Sequence, residues 1–159
     1  MSYKNNIWAW LPALLFVSIM YYMSSQANPP GAGLFEFIPN ADKLAHMTEY
    51  FILSSLIYFA LRKGHEMENK KAVLTAIIIS AFIGITDEYH QSFVAGRSSD
   101  VLDWVADVVG AGIAGSTKMQ VRSLKSEVQS DTQNIPLACH PRGLNRGSRR
   151  ASTKGKRIR

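Results

Sequence analysis

Four long apolar runs, separated by short polar stretches, constrain what this 159-residue chain can fold into. The runs cover residues 7–23, 44–61, 72–85 and 101–115. Each run matches or approaches the length of about 20 residues that an α-helix needs to cross the hydrocarbon core of a bilayer. A small soluble domain would have little amphipathic surface to shield such helices, and no βαβ alternation follows the third run. The sequence therefore predicts an all-α integral membrane bundle of four transmembrane helices, with the lipid bilayer as its surroundings.

Aromatic residues flank the first run as they do in many membrane helices. Trp8 and Trp10 lie near its start, and Tyr21 and Tyr22 lie near its end. Such rings are typical of the two headgroup levels of a bilayer. A cleaved signal peptide is the alternative, because a Ser-Ser-Gln-Ala stretch follows the run. The length and the aromatic flanks of the run favour a retained helix.

The charges divide the chain into two unlike parts. Residues 1–116 carry seven Lys/Arg and ten Asp/Glu, whereas residues 117–159 carry eleven and two. We therefore predict a transmembrane domain over residues 1–116 and a disordered basic tail over residues 117–159, since the tail has few large apolar residues. The charge of the tail suits anionic cytoplasmic lipids. It lacks the interleaved aromatic residues that would favour nucleic acid, so no nucleic-acid partner is predicted.

Loop charges predict the orientation of the bundle. The loop between the second and third runs contains Arg62, Lys63, Lys70 and Lys71, and short loops rich in Lys and Arg stay in the cytoplasm. Four crossings then place both termini in the cytoplasm of a multi-pass protein of the bacterial inner membrane. The same topology brings the start of the second run, the end of the third and the start of the fourth to the outer face.

Ionisable residues interrupt the apolar runs at those three outer ends. Such groups are costly in lipid and usually face one another or a polar cavity. Spacings of three and four residues place each set on one helical face. We expect a polar site whose candidate catalytic residues are His46, Glu49, Asp87, Glu88 and His90. The candidate ligand-binding residues are Asp42, Lys43, Tyr50, Gln91, Arg97, Asp100, Asp103 and Asp107.

Several interpretations of this set remain open. Carboxylates beside histidines can divide into an acid and a base, and Arg97 could hold a carboxylate or phosphate bidentately. A structural network, in which Lys43 and Arg97 neutralise some of the acids, is the simpler alternative. No serine or cysteine stands out beside a histidine as a nucleophile, and Ser98 and Ser99 fit a turn and a helix cap.

A metal site is the third interpretation of the polar set. Two histidines and several carboxylates would suit zinc or a harder ion. The spacing, however, lacks the His-Glu-x-x-His signature of metalloproteases, and Cys139 is the only cysteine. We therefore predict neither a metal site nor a cofactor. The small residues Ala106, Gly110 and Ala114 are interpreted as helix-packing positions.

At the polar residues the chain resembles the VanZ-like family of small bacterial membrane proteins. The resemblance covers residues 7–116. It rests on Ser24-Ser25-Gln26, Asp42-Lys43-x-x-His46-x-x-x-Tyr50, Asp87-Glu88-x-His90-Gln91-x-Phe93-x-x-Gly96-Arg97 and Asp100-x-x-Asp103-x-x-x-Asp107-x-x-Gly110. It implies an integral membrane protein of the cell envelope, and it links the family's founding member to low-level resistance to teicoplanin, a glycopeptide antibiotic.

The resemblance and the polar set together suggest three functions. The first is an envelope factor that contributes to glycopeptide resistance by engaging a cell-wall precursor or another polar or anionic envelope component, with Arg97 as the anion contact. The second is a membrane-embedded hydrolase or transferase that uses histidine and carboxylate groups as acid and base. The third is a structural partner in an envelope complex.

Overall fold

The computed structural model describes residues 6–27, 40–97 and 99–134. Throughout these residues the regular structure is helical and contains no strand. A short 3₁₀ turn at Ile7–Trp10 leads into α1 (Leu11–Ser24), which is followed by α2 (Ala41–Gly64), α3 (Asn69–Gln91) and α4 (Val101–Asn134). The all-α prediction is confirmed.

Three helical segments are long and apolar enough to cross a membrane. They are Ile7–Ser24, Ala41–Gly64 and Asn69–Gln91. Among the described helices, α4 does not meet the same composition test, and its apolar half carries Asp103 and Asp107. The fourth crossing therefore stays a prediction, whereas a protein with several membrane-spanning helices is supported.

Helix α4 is much longer than the sequence analysis predicts. It continues to Asn134, so the prediction of a disordered tail is wrong for residues 117–134. These residues contain neither proline nor glycine, and Val121, Leu124 and Val128 recur at helical spacing on one stripe. A segment with few apolar residues has the composition of a disordered segment. The same composition does not prevent a helix without proline or glycine from continuing. Residues 135–159, including Cys139, lie outside the described residues.

A tight connection makes α2 and α3 antiparallel. Only residues 65–68 separate the two helices, which is typical of an antiparallel helical hairpin. Arg62 and Lys63 occupy the last turn of α2, where positive charge is favourable near the helix C-terminus. The Arg62 guanidinium also donates to the Met67 carbonyl within the connection. This end of the bundle is basic.

The start of the chain packs against the same basic end. The Trp10 indole Nε1 donates to Nε2 of His65 at 2.9 Å. The backbone N–H of Asn6 donates to the Gly64 carbonyl at 3.3 Å. A Cβ at Gly64 would come within 3.1 Å of the Asn6 carbonyl oxygen. Helix α1 therefore runs from the basic end toward the opposite end of the bundle.

The core lies mainly between α2, α3 and α4, and α2 and α4 form the most extensive contact. Tyr50, Leu53 and Ile57 of α2 are among the most buried side chains. Large apolar residues also cover the outside. They include Leu14, Leu15 and Ile19 on α1, Leu74, Ile78 and Phe82 on α3, and Val105, Val109 and Ile113 on α4. A continuous apolar exterior of this kind is what a bilayer would solvate.

Gly110 allows α2 and α4 to approach closely. A Cβ at this position would overlap the backbone carbonyl group of Met47. Backbone cannot move aside as the tip of a flexible side chain can, so α4 would have to shift. The interpretation of Gly110 as a helix-packing position agrees with this geometry.

Replacing Gly110 by alanine should therefore destabilise the bundle. We expect Gly110→Ala to lose about 1–3 kcal/mol of unfolding free energy, which is typical of overpacking. The measurement is thermal or denaturant unfolding of the full chain in detergent. Gly112→Ala is the matched control, because a Cβ there would meet nothing within 4 Å. Equal stability of the two variants would show that the α2–α4 contact tolerates a wider spacing.

Candidate functional site

The polar residues of three helices meet at the end of the bundle opposite the basic connection. They come from the first turns of α2, the last turns of α3, and the first turns of α4. The buried members are His46, Tyr50, Asp87, Glu88, Gln91, Asp103 and Asp107. Lys43, Glu49, His90, Arg97 and Asp100 are half-buried, and Asp42 is exposed. The structure thus brings together most of the residues that the sequence analysis selects.

Lys43 joins α2 to the start of α4. Its Nζ donates to Oδ2 of Asp100 and to Oδ1 of Asp103, each at 2.8 Å. Asp42 lies farther away, at 3.6 Å from the same nitrogen, and its side chain is largely exposed. The predicted neutralisation of acids by Lys43 is therefore present, and it involves the two aspartates of α4 in particular.

Asp100 links all three helices of the site. In addition to the bond from Lys43, its backbone N–H donates to Oε2 of Glu88 at 2.9 Å, and its Oδ1 accepts the N–H of Leu102 at 2.9 Å. The last bond caps the first turn of α4, so Asp100 itself supplies the cap that the sequence analysis assigned to the preceding serines. Hydrogen bonding from Lys43 holds the pKa of the Asp100 carboxyl below its ordinary value.

A hydrogen bond between His46 and Asp107 lies deeper in the bundle. Nδ1 of His46 and Oδ1 of Asp107 are 3.0 Å apart, and Asp107 has no solvent exposure. The second carboxylate oxygen of Asp107, Oδ2, is buried without a hydrogen-bond partner among the described residues. It lies against α3 where a Cβ at Gly84 would come within 2.8 Å of it. Gly84 therefore leaves the space that this oxygen occupies.

Glu88 brings a second unpartnered carboxylate oxygen to the same place. Its Oε2 accepts the N–H of Asp100, whereas its Oε1 is buried without a partner in the described part of the chain. Ligand atoms of His46, Glu88 and Asp107 all lie within 4.8 Å of one another. The hydroxyl of Tyr50 is likewise buried and unpartnered. The centre of the site thus contains polar atoms that the described residues leave unsatisfied.

Asp87, Gln91 and Glu49 complete the α2 and α3 faces of the polar end. Nε2 of Gln91 donates to Oδ2 of Asp87 at 2.9 Å, one helical turn away, and both residues are buried. This bond satisfies one oxygen of Asp87 within α3 itself. Glu49 is half-buried on α2, one turn after His46.

His90 belongs to a separate contact with α1. Its Nδ1 lies 3.0 Å from the Tyr21 hydroxyl and its Nε2 lies 3.0 Å from Oγ of Ser25, while the Tyr21 ring stacks on the imidazole. Ser25 also donates its only hydroxyl proton to the Tyr21 carbonyl at 2.7 Å. Oγ therefore accepts from His90 in this arrangement, and the bonds fasten α1 to α3 rather than activate a nucleophile.

Tyr21 and Ser25 are contacts that sequence reasoning missed. Neither residue is charged, so neither interrupts an apolar run in the way that an ionisable group does. The available signal was the Ser24-Ser25-Gln26 string, which carried part of the family resemblance. Its significance as a docking contact for His90 becomes visible only with the helices in place.

Arg97 holds the loop between α3 and α4 against the end of α1. Its Nε donates to the Gln26 carbonyl at 3.3 Å, and its backbone N–H donates to the Val94 carbonyl at 3.1 Å. Gly96 precedes it with a φ of +83°, a left-handed conformation that glycine adopts without strain. Among the described contacts, the Arg97 side chain thus anchors the loop through Nε alone.

Apolar helices around a buried histidine and carboxylate cluster define a multi-pass membrane protein with a polar site at one end of its bundle. The sequence model of the VanZ/LLP1 family matches residues 3–117, which is more than half of the chain. The protein belongs to the VanZ/LLP1 family. The match includes the site-bearing parts of α2, α3 and α4.

A protein of the yeast Schizosaccharomyces pombe, described as uncharacterized, is also similar to this chain. The two are 30% identical over 78 residues, which is 48% of this chain and 46% of the yeast protein. The chain thus spans about half the length of the curated relative that it matches. No solved structure matches the fold.

The bond between Lys43 and Asp100 predicts an acid-dependent loss of stability. Because the folded-state pKa of Asp100 lies below its unfolded value of about 3.9, the bond contributes fully above that pH and is lost as the pH falls through the folded pKa. The stability difference between the wild type and Lys43→Met should therefore shrink as the pH falls below about 4. Unfolding midpoints in detergent measure it.

Lys71→Met is the matched control for Lys43→Met. Lys71 pairs with Glu68 at 3.8 Å on the opposite, basic end, and both side chains are exposed. Such pairs contribute little, so we expect a small effect. A difference between the wild type and Lys43→Met that stays constant down to the most acidic pH would refute the assigned role of Asp100.

Proposed function

We propose that this member of the VanZ/LLP1 family crosses the membrane four times, with both termini in the cytoplasm of the inner membrane and the polar site on the outer side. The distribution of charge supports the orientation, because Arg62, Lys63, Lys70 and Lys71 lie at the opposite end. The two faces of α4 support the fourth crossing. Its aspartates point into the bundle, and Val105, Val109 and Ile113 are exposed on the outside.

Cysteine accessibility tests this topology. In a Cys139→Ser background, Ser92→Cys should react with an impermeant thiol reagent in intact cells. Glu66→Cys and Thr132→Cys should react only after permeabilisation, because the α2–α3 loop and the far end of α4 are expected on the inner side. Labelling of Thr132→Cys together with Ser92→Cys in intact cells would eliminate the fourth crossing. Labelling of Glu66→Cys there would reverse the orientation.

We infer that the site performs hydrolase or transferase chemistry on the polar part of a membrane component. The observation that carries this proposal is the His46–Asp107 hydrogen bond beside unpartnered carboxylate oxygens of Asp107 and Glu88. A carboxylate that orients a histidine through Nδ1 leaves Nε2 as the nitrogen for proton transfer. Carboxylates in such a buried cluster can hold different protonation states, so one can serve as acid while another stays ionised.

The depth of the site favours a headgroup as the substrate. His46 lies about 7.5 Å along α2 from Ala41, the first residue of that helix, at about 1.5 Å per residue. Tyr89 and Phe93 lie near the same end, exposed and 5.0 Å apart between ring centroids. Exposed aromatic rings are typical of the headgroup level. The headgroup of a lipid or of a lipid-linked envelope precursor would reach a site at this depth.

A non-catalytic envelope factor is the second candidate, and the family match favours it. By analogy with the founding member, such a factor would bind a cell-wall precursor and contribute to glycopeptide resistance. The similar protein from Schizosaccharomyces pombe is eukaryotic. If the two proteins share a substrate, a component present in many membranes, such as a lipid, is favoured over one found only in bacterial walls.

A strain that lacks the protein separates these candidates. It would be complemented with the wild type, His46→Ala, Glu88→Gln, or the control His65→Ala, whose residue lies at the basic end. Membrane lipids and envelope precursors would be measured by mass spectrometry, and teicoplanin susceptibility in parallel. For an enzyme, the deletion should accumulate a substrate that the wild type and His65→Ala remove. Loss of His46 should slow that removal by about 10²–10⁴-fold, the usual contribution of general acid–base catalysis.

Other outcomes of this complementation experiment would favour the non-enzymatic candidates. A change in susceptibility without a change in composition would favour the binding factor. Normal composition and susceptibility in His46→Ala and Glu88→Gln cells, with both variants present in the membrane at wild-type levels, would refute a functional role for the site. The structural-partner hypothesis would then account for the cluster.

A further inference from the structure

His46, Glu88 and Asp107 form a compact set of potential metal ligands. One residue comes from each of α2, α3 and α4, all three are buried, and their ligand atoms lie within 4.8 Å of one another. Ions such as Zn²⁺ bind imidazole nitrogen and carboxylate oxygen at about 2.0–2.2 Å. Small rotations of the side chains would therefore place all three groups around one ion.

The unsatisfied oxygens of the set point to an occupant. Oδ2 of Asp107 and Oε1 of Glu88 are buried without hydrogen-bond partners among the described residues. Asp107 has no exposure, and Glu88 is 7% exposed. A buried carboxylate without a partner is costly, and the cost falls when a cation or a donor reaches it. Both carboxylates belong to the set whose ligand atoms lie within 4.8 Å of one another, so one cation could serve both.

The cations of the described residues at this end do not meet that need. Nζ of Lys43 donates to Asp100 and Asp103. The Arg97 side chain donates through Nε to the Gln26 carbonyl. Besides the His46 imidazole and the Tyr50 hydroxyl, the centre of the site contains carboxyl groups, and a positive ion would balance their charge.

The bond between His46 and Asp107 shows where an ion would enter. A hydrogen atom now lies between Nδ1 and Oδ1, which are 3.0 Å apart. A divalent ion coordinated by both residues would replace that hydrogen bond, and the neutral imidazole would then carry its proton on the nitrogen that does not bind the ion. The same ion would reach the free oxygens of Asp107 and Glu88.

We propose that His46, Glu88 and Asp107 bind one divalent transition-metal ion between α2, α3 and α4. One nitrogen and two carboxylate ligands suit Zn²⁺ and Mn²⁺, and Zn²⁺ binds the tighter of the two in such sites. The inference deepens the proposed function at the same residues, but it does not depend on that reaction. With the ion bound, activation of a nucleophile would pass from the imidazole to the metal.

Metal binding by the full-length chain in detergent tests the proposal. After chelator treatment the protein is titrated with ZnCl₂ and with MnCl₂, and bound metal is counted after gel filtration. We expect one ion per chain, tighter for Zn²⁺, and a higher unfolding temperature with the ion present. His46→Ala, Glu88→Gln and Asp107→Asn should each weaken binding by at least about tenfold, since even outer-sphere substitutions cost that much.

Control variants separate this site from other metal ligands. His65→Ala and Glu68→Gln remove the same residue types from the basic end and should bind as the wild type does. Cys139→Ser/His140→Ala removes the adjacent ligands of the C-terminal segment and should also retain the tight ion. No stoichiometric binding by the wild type would overturn the proposal. Binding that survives all three site substitutions, or that is lost in Cys139→Ser/His140→Ala, would overturn it equally.

A spectroscopic measurement covers the case in which the site variants fail to fold. X-ray absorption of the zinc-loaded Cys139→Ser/His140→Ala protein should show one imidazole and otherwise oxygen ligands, and sulfur or two imidazoles would overturn the assignment. The activity test stays independent. Metal binding without substrate turnover would retain this inference and remove the proposed reaction, and turnover that requires His46 in a wild-type protein that binds no metal would do the reverse.

Discussion

The fully buried carboxylate of Asp107 is the constraint around which the rest of the bundle is arranged. A carboxyl group without solvent contact is costly to bury, and each partner that reaches it lowers that cost. His46 supplies one partner from α2, and the missing side chain of Gly84 lets α3 lie close to the other oxygen. The position of one aspartate thereby determines how α2 and α3 must sit relative to α4. Apolar packing alone would permit the helices to slide or rotate past one another.

A second layer of bonds above Asp107 closes the site end. Asp100 accepts from Lys43 of α2, donates through its backbone to Glu88 of α3, and caps its own helix. Asp100 thus connects the ends of three helices. Lys43 is half-buried, so this layer of bonds is in contact with solvent on one side. In the deeper layer around His46, no described lysine or arginine side chain donates a hydrogen bond to the carboxylates, and the Tyr50 hydroxyl is unpartnered. The outer layer, around Lys43 and Asp100, therefore holds the helix ends together, whereas the proposed function rests on the deeper layer around His46.

Much of this arrangement could be predicted from the sequence, because membrane burial imposes strong rules. The apolar runs predicted the helices, and the i, i+3 and i+4 spacing of His46, Glu49 and Tyr50 predicted a shared face. Pairing within the cluster could not be predicted, because spacing along one helix carries no information about rotation against the next. His90 shows this limit. It shares a helical face with Asp87, yet its ring partners are Tyr21 of α1 and Ser25, the residue directly after that helix. The helical residues 117–134 were misjudged because polar composition alone does not distinguish an exposed helix from disorder.

The length of α4 also changes what the basic C-terminal segment can do. Burial along this helix ends at Gly115, and Asn134 lies roughly 28 Å farther along its axis at about 1.5 Å per residue. The Debye length at physiological salt is about 8 Å. If α4 crosses the bilayer and stays straight and upright, with Gly115 at the lipid surface, Asn134 lies more than three screening lengths away from the headgroups. A helix in this position acts as a spacer, and an electrostatic attraction to lipid would first have to bend it.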